Sequence, residues 1–246
     1  MNTTTLEKMK QMKFYGMHDA LVATMQKESN EHFTSDQIIA HIIDAEYDDR
    51  ENRKIKRCIT NARFRYQADL EKIQYDDNRN LEKNAVMRLA ECEFIKKGEN
   101  LLITGSTGVG KSYLASAIGY HACSKGFRVN YFNTTKLLSK LKMAKADNSY
   151  IQEMRKIERQ QLLIIDDFGL QPLDSASRGL LLDMIEDRHG KSSLIITSQF
   201  PVNSWHDVIG DNTVADAILD RIVHNSHRIE LKGESMRRKE RKIIIK

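Results

Sequence analysis

Gly105-Ser106-Thr107-Gly108-Val109-Gly110-Lys111-Ser112 fits the pattern G-x-x-x-x-G-K-[ST] in full, and it decides how the rest of the chain is read. Glycines at these spacings let the backbone curl so that successive amide N–H groups point at one phosphate chain. The run is preceded by the apolar Leu101-Leu102-Ile103-Thr104 and followed by a helical stretch from Ser112 to Ser124. Strand before and helix after are the context that separates a phosphate loop from a chance glycine turn, and the helix adds its positive N-terminal end. Gly105 to Ser112, with Tyr113 behind them, are therefore the expected ATP cradle. Lys111 would reach the outer phosphates, and Ser112 would offer its hydroxyl to Mg²⁺.

Outward from the loop the pattern alternates. Val129–Phe132, Leu162–Ile165 and Leu194–Thr197 are short apolar strands, with helices expected over 135–145 and 175–188 between them. Helices near 204–209 and 214–223 and a strand at 227–231 complete the reading. Such alternation predicts a parallel sheet covered by helices on both faces. The third strand runs into Asp166-Asp167, placing two carboxylates at the edge where open parallel sheets hold ligands. Adjacent acids after four apolar residues call for a cation. Asp166 is the expected Mg²⁺ partner with Ser112, and Asp167 the base that polarises the attacking water. Past the fourth strand, Ser198 is a candidate polar contact to the terminal phosphate, with Thr197 as its neighbour.

Before residue 98 the pattern is helical. Thr4 and Glu7 suit a capping box, Phe14-Tyr15-Gly16 a break, and Met17, Leu21 and Met25 one side of a second helix. Ser35 is the expected cap of a longer helix striped with Ile38, Ile39, Ile42 and Ile43. The expected division is a small all-helical N-terminal domain, 1–80, and an ATPase domain, 81–246. Between residues 50 and 67 seven basic residues face one acid, Glu51. Arg50, Arg53, Lys54 and Arg57 share a helix face that could follow a phosphate backbone. Lys136 and Lys140 form another candidate surface, and the basic tail around Arg237 to Lys242 a third.

Composition sets the outer limits. The chain has 246 residues, 40% hydrophobic and 30% charged, and a formal net charge of +5, which permits a nucleic-acid partner without requiring one. No apolar run is long enough to span a membrane and the first thirty residues hold no signal-like block, so a cytoplasmic protein is expected. Cys58, Cys92 and Cys123 lack metal-type or redox spacing and are expected to be reduced thiols.

With these motifs in place the chain resembles the IstB-type ATP-binding helper proteins of insertion-sequence transposons, relatives of DnaC and DnaA within the AAA+ ATPases. The resemblance is carried by Asn100–Ser112, Asp166-Asp167-Phe168-Gly169-Leu170, Ile195–Gln199, Trp205-His206-Asp207, Ala215–Asn225 and Gly233–Arg237. It implies an AAA+ P-loop fold, and the short stretch after the fourth strand leaves no separate C-terminal lid domain expected. It also implies a homo-oligomer with ATP sites between subunits, binding to double-stranded DNA, and help to a transposase encoded by the same element. Arg221 matches the arginine finger that reaches a neighbouring subunit's nucleotide, and Arg237 more loosely a second sensor arginine. Two other readings stay open: a DnaC-like helicase loader using ATP as a switch, and a small-molecule kinase, for which the stretch after Ser198 leaves little room.

Overall fold

The computed structural model describes residues 3–26 and 34–236, and the chain divides into two compact units, Met1–Arg57 and Cys58–Lys246. The first contains α1 (Thr3–Gln11), α2 (Tyr15–Gln26) and the greater part of α3 (Ser35–Ala62). The chain reverses between α1 and α2 at Lys13, whose φ is 61°. Gly16, expected to break a helix, sits in the first turn of α2. A Cβ there would lie 2.3 Å from the Ala45 carbonyl oxygen, so glycine is what lets α2 approach α3. Thr4, expected as a cap, lies inside α1. The cap of α3 is Thr34 rather than Ser35: Gln37 N–H donates to Thr34 Oγ1 (3.3 Å), and Thr34 N–H donates back to Gln37 Oε1 (2.9 Å).

The second unit continues with α4 (Lys83–Ala90), α5 (Glu93–Lys96), β1 (Asn100–Gly105), α6 (Lys111–Ser124), β2 (Val129–Asn133) and α7 (Thr134–Ala146). Then come α8 (Tyr150–Glu158), β3 (Leu162–Phe168), α9 (Ser175–Arg188), β4 (Ser193–Ser198), α10 (Trp205–Ile209), α11 (Asn212–Val223) and β5 (Ser226–Leu231). The five strands are all parallel, in the order β2-β3-β4-β1-β5. The inner strands β1, β3 and β4 are buried on both faces, which is why they read as apolar runs, whereas the edge strand β5 exposes His227, Arg228 and Glu230. Leu101, Ile103, Ile164 and Ile195 pack on one side with α4 and α6, and residues 58–80 belong to this layer through Ala62, Ala68 and Ile73. Leu102, Leu163, Ile165 and Ile196 pack on the other with α7 to α11, around a fully buried Trp205. The sheet is the predicted α/β P-loop architecture, and among the described residues only a turn through 232–236 follows β5. None of the described helices is long and apolar enough to cross a membrane.

The helices α4, α5 and α8 went unread in the sequence. Arg188 is another buried feature without a sequence signal. Its guanidinium donates to the carbonyls of Ile157, Gln160 and Ser193 at 2.9–3.0 Å, joining α8 to the start of β4. Cys58 and Cys123 are free thiols whose sulfurs stand 3.0 Å apart, although 65 residues separate them.

Candidate functional site

The glycine-rich loop leaves β1 at Gly105 and enters α6 at Lys111, with Gly108 and Gly110 at φ 87° and 100°. Only glycine takes these angles without strain, and a Cβ on Gly108 would also lie 2.3 Å from Ser235 Oγ. The loop is braced from outside its own stretch. Met236 N–H donates to the Gly108 carbonyl (2.9 Å), and Arg79 Nη2 donates to the Val109 carbonyl (2.8 Å). Neither Arg79 nor Ser235 was singled out from sequence. The Lys111 ammonium is buried and donates to the carbonyls of Gly105 (2.7 Å) and Ser106 (2.8 Å), so it lies inside the curl of the loop.

The two acids lie at a bulge. Ile165 pairs with Ile196 and Phe168 with Ser198, so Asp166 and Asp167 together stand opposite Thr197 alone. A bulge of this kind re-aims side chains and leaves one residue without its ladder partner. Here Asp167 takes φ 61°, and its N–H donates to Thr197 Oγ1 at 3.1 Å. Asp166 is fully buried and encircled by donors: Ser112 Oγ (2.7 Å) and the Thr197 hydroxyl on Oδ1, Arg65 Nη1 (3.1 Å) and the Tyr131 hydroxyl on Oδ2. Thr134 Oγ1 donates to its carbonyl at 2.9 Å. Burial, and then the Asp166 charge, push the Tyr131 hydroxyl well above the usual tyrosine range, keeping it a donor. Asp167 Oδ2 accepts from Arg65 (3.0 Å) and Asn133 Nδ2 (3.1 Å).

A hydroxyl and a carboxylate 2.7 Å apart, one opening a helix and the other ending a strand, are hard oxygen donors. Two such protein ligands, completed by phosphate and water oxygens, suit Mg²⁺. The residues present therefore fit the metal.

Ser198 does not join them. It points to the opposite face from Thr197, as successive strand residues must, and donates to the Phe168 carbonyl at 2.8 Å. The hydroxyl beside the acids is that of Thr197. Gln199, one residue beyond β4 and not singled out from sequence, accepts from Thr107 Oγ1 of the loop at 2.7 Å. Arg221 pairs with Glu186 at 2.8 Å. Its carbonyl accepts from Asn100 at the start of β1, so its backbone stands at the end of that strand, about 17 Å long at ~3.3 Å per residue, opposite to the phosphate loop.

The basic candidates are mostly engaged. Arg50 pairs with Glu46 (2.6 Å) and lies over the Phe14 ring; Arg53 pairs with Asp49 (2.8 Å) and lies over Tyr15. The neutralising acids stand one turn upstream of the window read from sequence. Lys54 meets Glu51 at 3.5 Å and Lys140 meets Glu153 at 2.5 Å, while Arg57 and Lys136 are exposed. Arg237 and the basic tail lie outside the described residues.

Comparison with known proteins agrees along nearly the whole chain. The model of the family described as IstB-like ATP binding protein matches residues 7–243. The insertion-sequence ATP-binding protein y4pL of Sinorhizobium fredii is 40% identical over 238 residues, covering 97% of each chain. The IS21 ATP-binding protein of Pseudomonas aeruginosa is 29% identical over 228 residues, covering 93% of this chain and 84% of that one. Among solved structures, a DnaC helicase loader superposes with a TM-score of 0.55 at 23% identity, over 68% of this chain and 98% of the other. AMPPCP-bound DnaA from Aquifex aeolicus gives 0.58 at 17%, over 74% and 56%. At these identities the two structures speak for the fold alone.

Proposed function

This chain belongs to the IstB-like ATP-binding protein family, and on that premise we propose that it is a DNA-binding AAA+ ATPase. It assembles with ATP on double-stranded DNA and assists the transposase of its own insertion sequence in selecting target DNA. The observation that carries the catalytic half is the convergence of Lys111, Ser112, Asp166, Asp167 and Thr197 at one end of the sheet.

Each residue has a physical role in that reading. The backbone from Gly105 to Ser112 binds the phosphates, with Tyr113 behind it, and Lys111 exchanges its two carbonyls for phosphate oxygens. Ser112 and Asp166 hold Mg²⁺, which when bound draws charge from the phosphates. Asp167 accepts a proton from the attacking water, and Thr197 fixes the carboxylate pair through the bulge. Gln199 holds the loop through Thr107. Arg221 acts in trans, a role supported by its backbone standing at the end of β1 away from the loop of its own chain, and a guanidinium neutralises charge developing on the transferred phosphoryl group. ATP sites between subunits of a homo-oligomer follow from that role. Arg57 and Lys136, exposed and basic, are the DNA contacts best supported by their surroundings.

A second reading, a DnaC-like helicase loader that uses ATP as a switch, is favoured by one observation. The α3 face bearing Ile39, Ile43 and Tyr47 is exposed while Arg50 and Arg53 are ion-paired, which is the character of a protein-docking rather than a DNA-binding surface. Electron microscopy with ATP, Mg²⁺ and duplex DNA separates the two. The first reading expects assemblies on DNA by wild type and none by Lys111→Ala or Arg221→Ala. Monomers under all conditions, together with DNA-independent capture of a replicative helicase, would replace it with the second.

A further inference from the structure

Arg65 belongs to the basic run between residues 50 and 67, three positions past the end of α3, yet its guanidinium bridges both acids of the site. Nη1 lies 3.1 Å from Asp166 Oδ2 and 3.0 Å from Asp167 Oδ2. This is more than a surface arginine finding a nearby charge, because the chain on either side is fastened down. Phe64 is wedged against Gly119 of α6, its ring 2.7 Å from where a Cβ of that residue would stand, and edge-on to Tyr131 at 6.4 Å. Tyr66 packs against Tyr113 with ring centroids 6.2 Å apart, and the guanidinium lies over the Tyr66 ring at 5.6 Å. The backbone is anchored twice, and the side chain, 41% exposed, is the part free to swing.

We infer that Arg65 is a resident counter-ion of the Asp166–Asp167 pair, which a divalent cation must expel before the site can be loaded. The inference rests on the reading of this site as a nucleotide·Mg²⁺ site. With the guanidinium in place the two carboxylates share a positive charge, so the bulge is stable without metal. That same charge stands on the far oxygen of the carboxylate that Ser112 faces, and it opposes the approach of a second cation. It also engages Asp167 Oδ2 together with Asn133, which lowers the basicity of that carboxylate toward a water molecule. Loading then requires one side-chain rotation and no backbone movement. Because Asp166 retains Ser112, Tyr131 and Thr197, it stays oriented when the guanidinium leaves.

The test is a Mn²⁺ titration of the full chain followed by electron paramagnetic resonance, with and without ATP, using wild type, Arg65→Gln, Arg65→Lys and Asp166→Asn. A like charge several ångströms from a binding oxygen shifts an ionic equilibrium by roughly one to three log units. Arg65→Gln is therefore expected to bind Mn²⁺ about tenfold or more tightly than wild type. Arg65→Lys, which keeps the charge on a shorter side chain, should fall between, and Asp166→Asn should lose the tight site. Equal or weaker Mn²⁺ binding by Arg65→Gln, with the melting temperature unchanged and Asp166→Asn still defective, would overturn the inference. Binding of a fluorescent ATP analogue, read in parallel with Lys111→Ala, keeps the premise separate: an analogue bound equally by wild type and Lys111→Ala overturns the nucleotide-site reading itself.

Discussion

Replacing Thr197 by valine keeps the shape of the side chain and removes only its hydroxyl. That hydroxyl does two jobs at the bulge, donating to the fully buried Asp166 and accepting the Asp167 N–H at 3.1 Å. Losing a hydrogen bond to a charged group costs about 2 kcal/mol, and stranding a part-buried N–H about 1–3 kcal/mol. Asp166 keeps three other donors, so the sum falls near the lower end, about 3 kcal/mol. For a unit of this size each kcal/mol moves the melting temperature by roughly 2–4 °C, giving a fall of about 10 °C in a thermal melt. At 20 °C, far below melting, the misplaced acid pair is expected to slow ATP turnover on duplex DNA by about thirtyfold, the equivalent of about 2 kcal/mol at the barrier. Ser198→Ala is the control. It loses a buried hydrogen bond to the Phe168 carbonyl and is also less stable, but its hydroxyl faces away from the acids, so turnover should hold. Normal turnover by Thr197→Val beside a crippled Ser198→Ala would refute the argument and restore Ser198 to the site.

The remaining expectations concern other surfaces. Arg221→Ala loses a partly exposed pair with Glu186, worth at most about 1 kcal/mol, so its melting curve should match wild type while ATP turnover falls by a factor on the order of 10³ or more. Glu186→Ala should leave turnover intact, and a comparable loss there would assign Arg221 a structural role. Burial alone would raise the Glu46 carboxyl, but hydrogen bonds from Arg50 and the Met17 N–H hold it below the usual range. Because the folded-state pKa is the lower one, its stabilisation is present above the ordinary glutamate value and lost as pH falls through the folded value. The Met17 amide proton resonance should titrate with a midpoint below 4.5, the ordinary value, and should not titrate in Glu46→Gln. Mild oxidation with diamide should join Cys58 to Cys123, read by peptide mass mapping, and leave Cys92 free, since burial pushes that thiol up to about 11. If Arg57 and Lys136 each meet a phosphate, glutamine at either should lower the salt dependence of DNA binding by about one unit of slope, whereas Arg50→Gln should leave it unchanged.

The parts of the fold legible in sequence were those whose signals are local. The inner strands β1, β3 and β4 and the phosphate loop announce themselves in consecutive residues, because a strand buried on both faces is an apolar run and the loop needs glycine at fixed spacings. The surroundings of Asp166 were legible only in part: Ser112 and Thr197 were named from sequence, whereas Tyr131 and Arg65 come from another strand and a connecting segment, and no spacing records their meeting. Ser198 and Thr197 differ only in strand parity, which depends on the bulge at Asp166-Asp167 and so on the pairing register. Arg50 and Arg53 looked like a free basic face because the window began after Glu46 and Asp49, the acids one turn back that hold them. Gly16 carried the right residue but the wrong reason: glycine there marks a close helix contact, and the break falls at Lys13.

The sheet order has a consequence for how the protein comes into being. β1, the strand that delivers the phosphate loop, is made first, yet in space it lies between β4 and β5, the last two strands to be synthesised. A nascent chain holding residues 100–192 therefore carries β1 with both edges unpaired, an apolar ribbon with nothing to bond to. β2 and β3 can pair with each other in the meantime, but they cannot shelter it. The loop is no better placed, because the segment that braces Gly108 is Ser235-Met236, more than 120 residues downstream. The loop that meets the phosphates is fully braced only when the second half of the chain has been made.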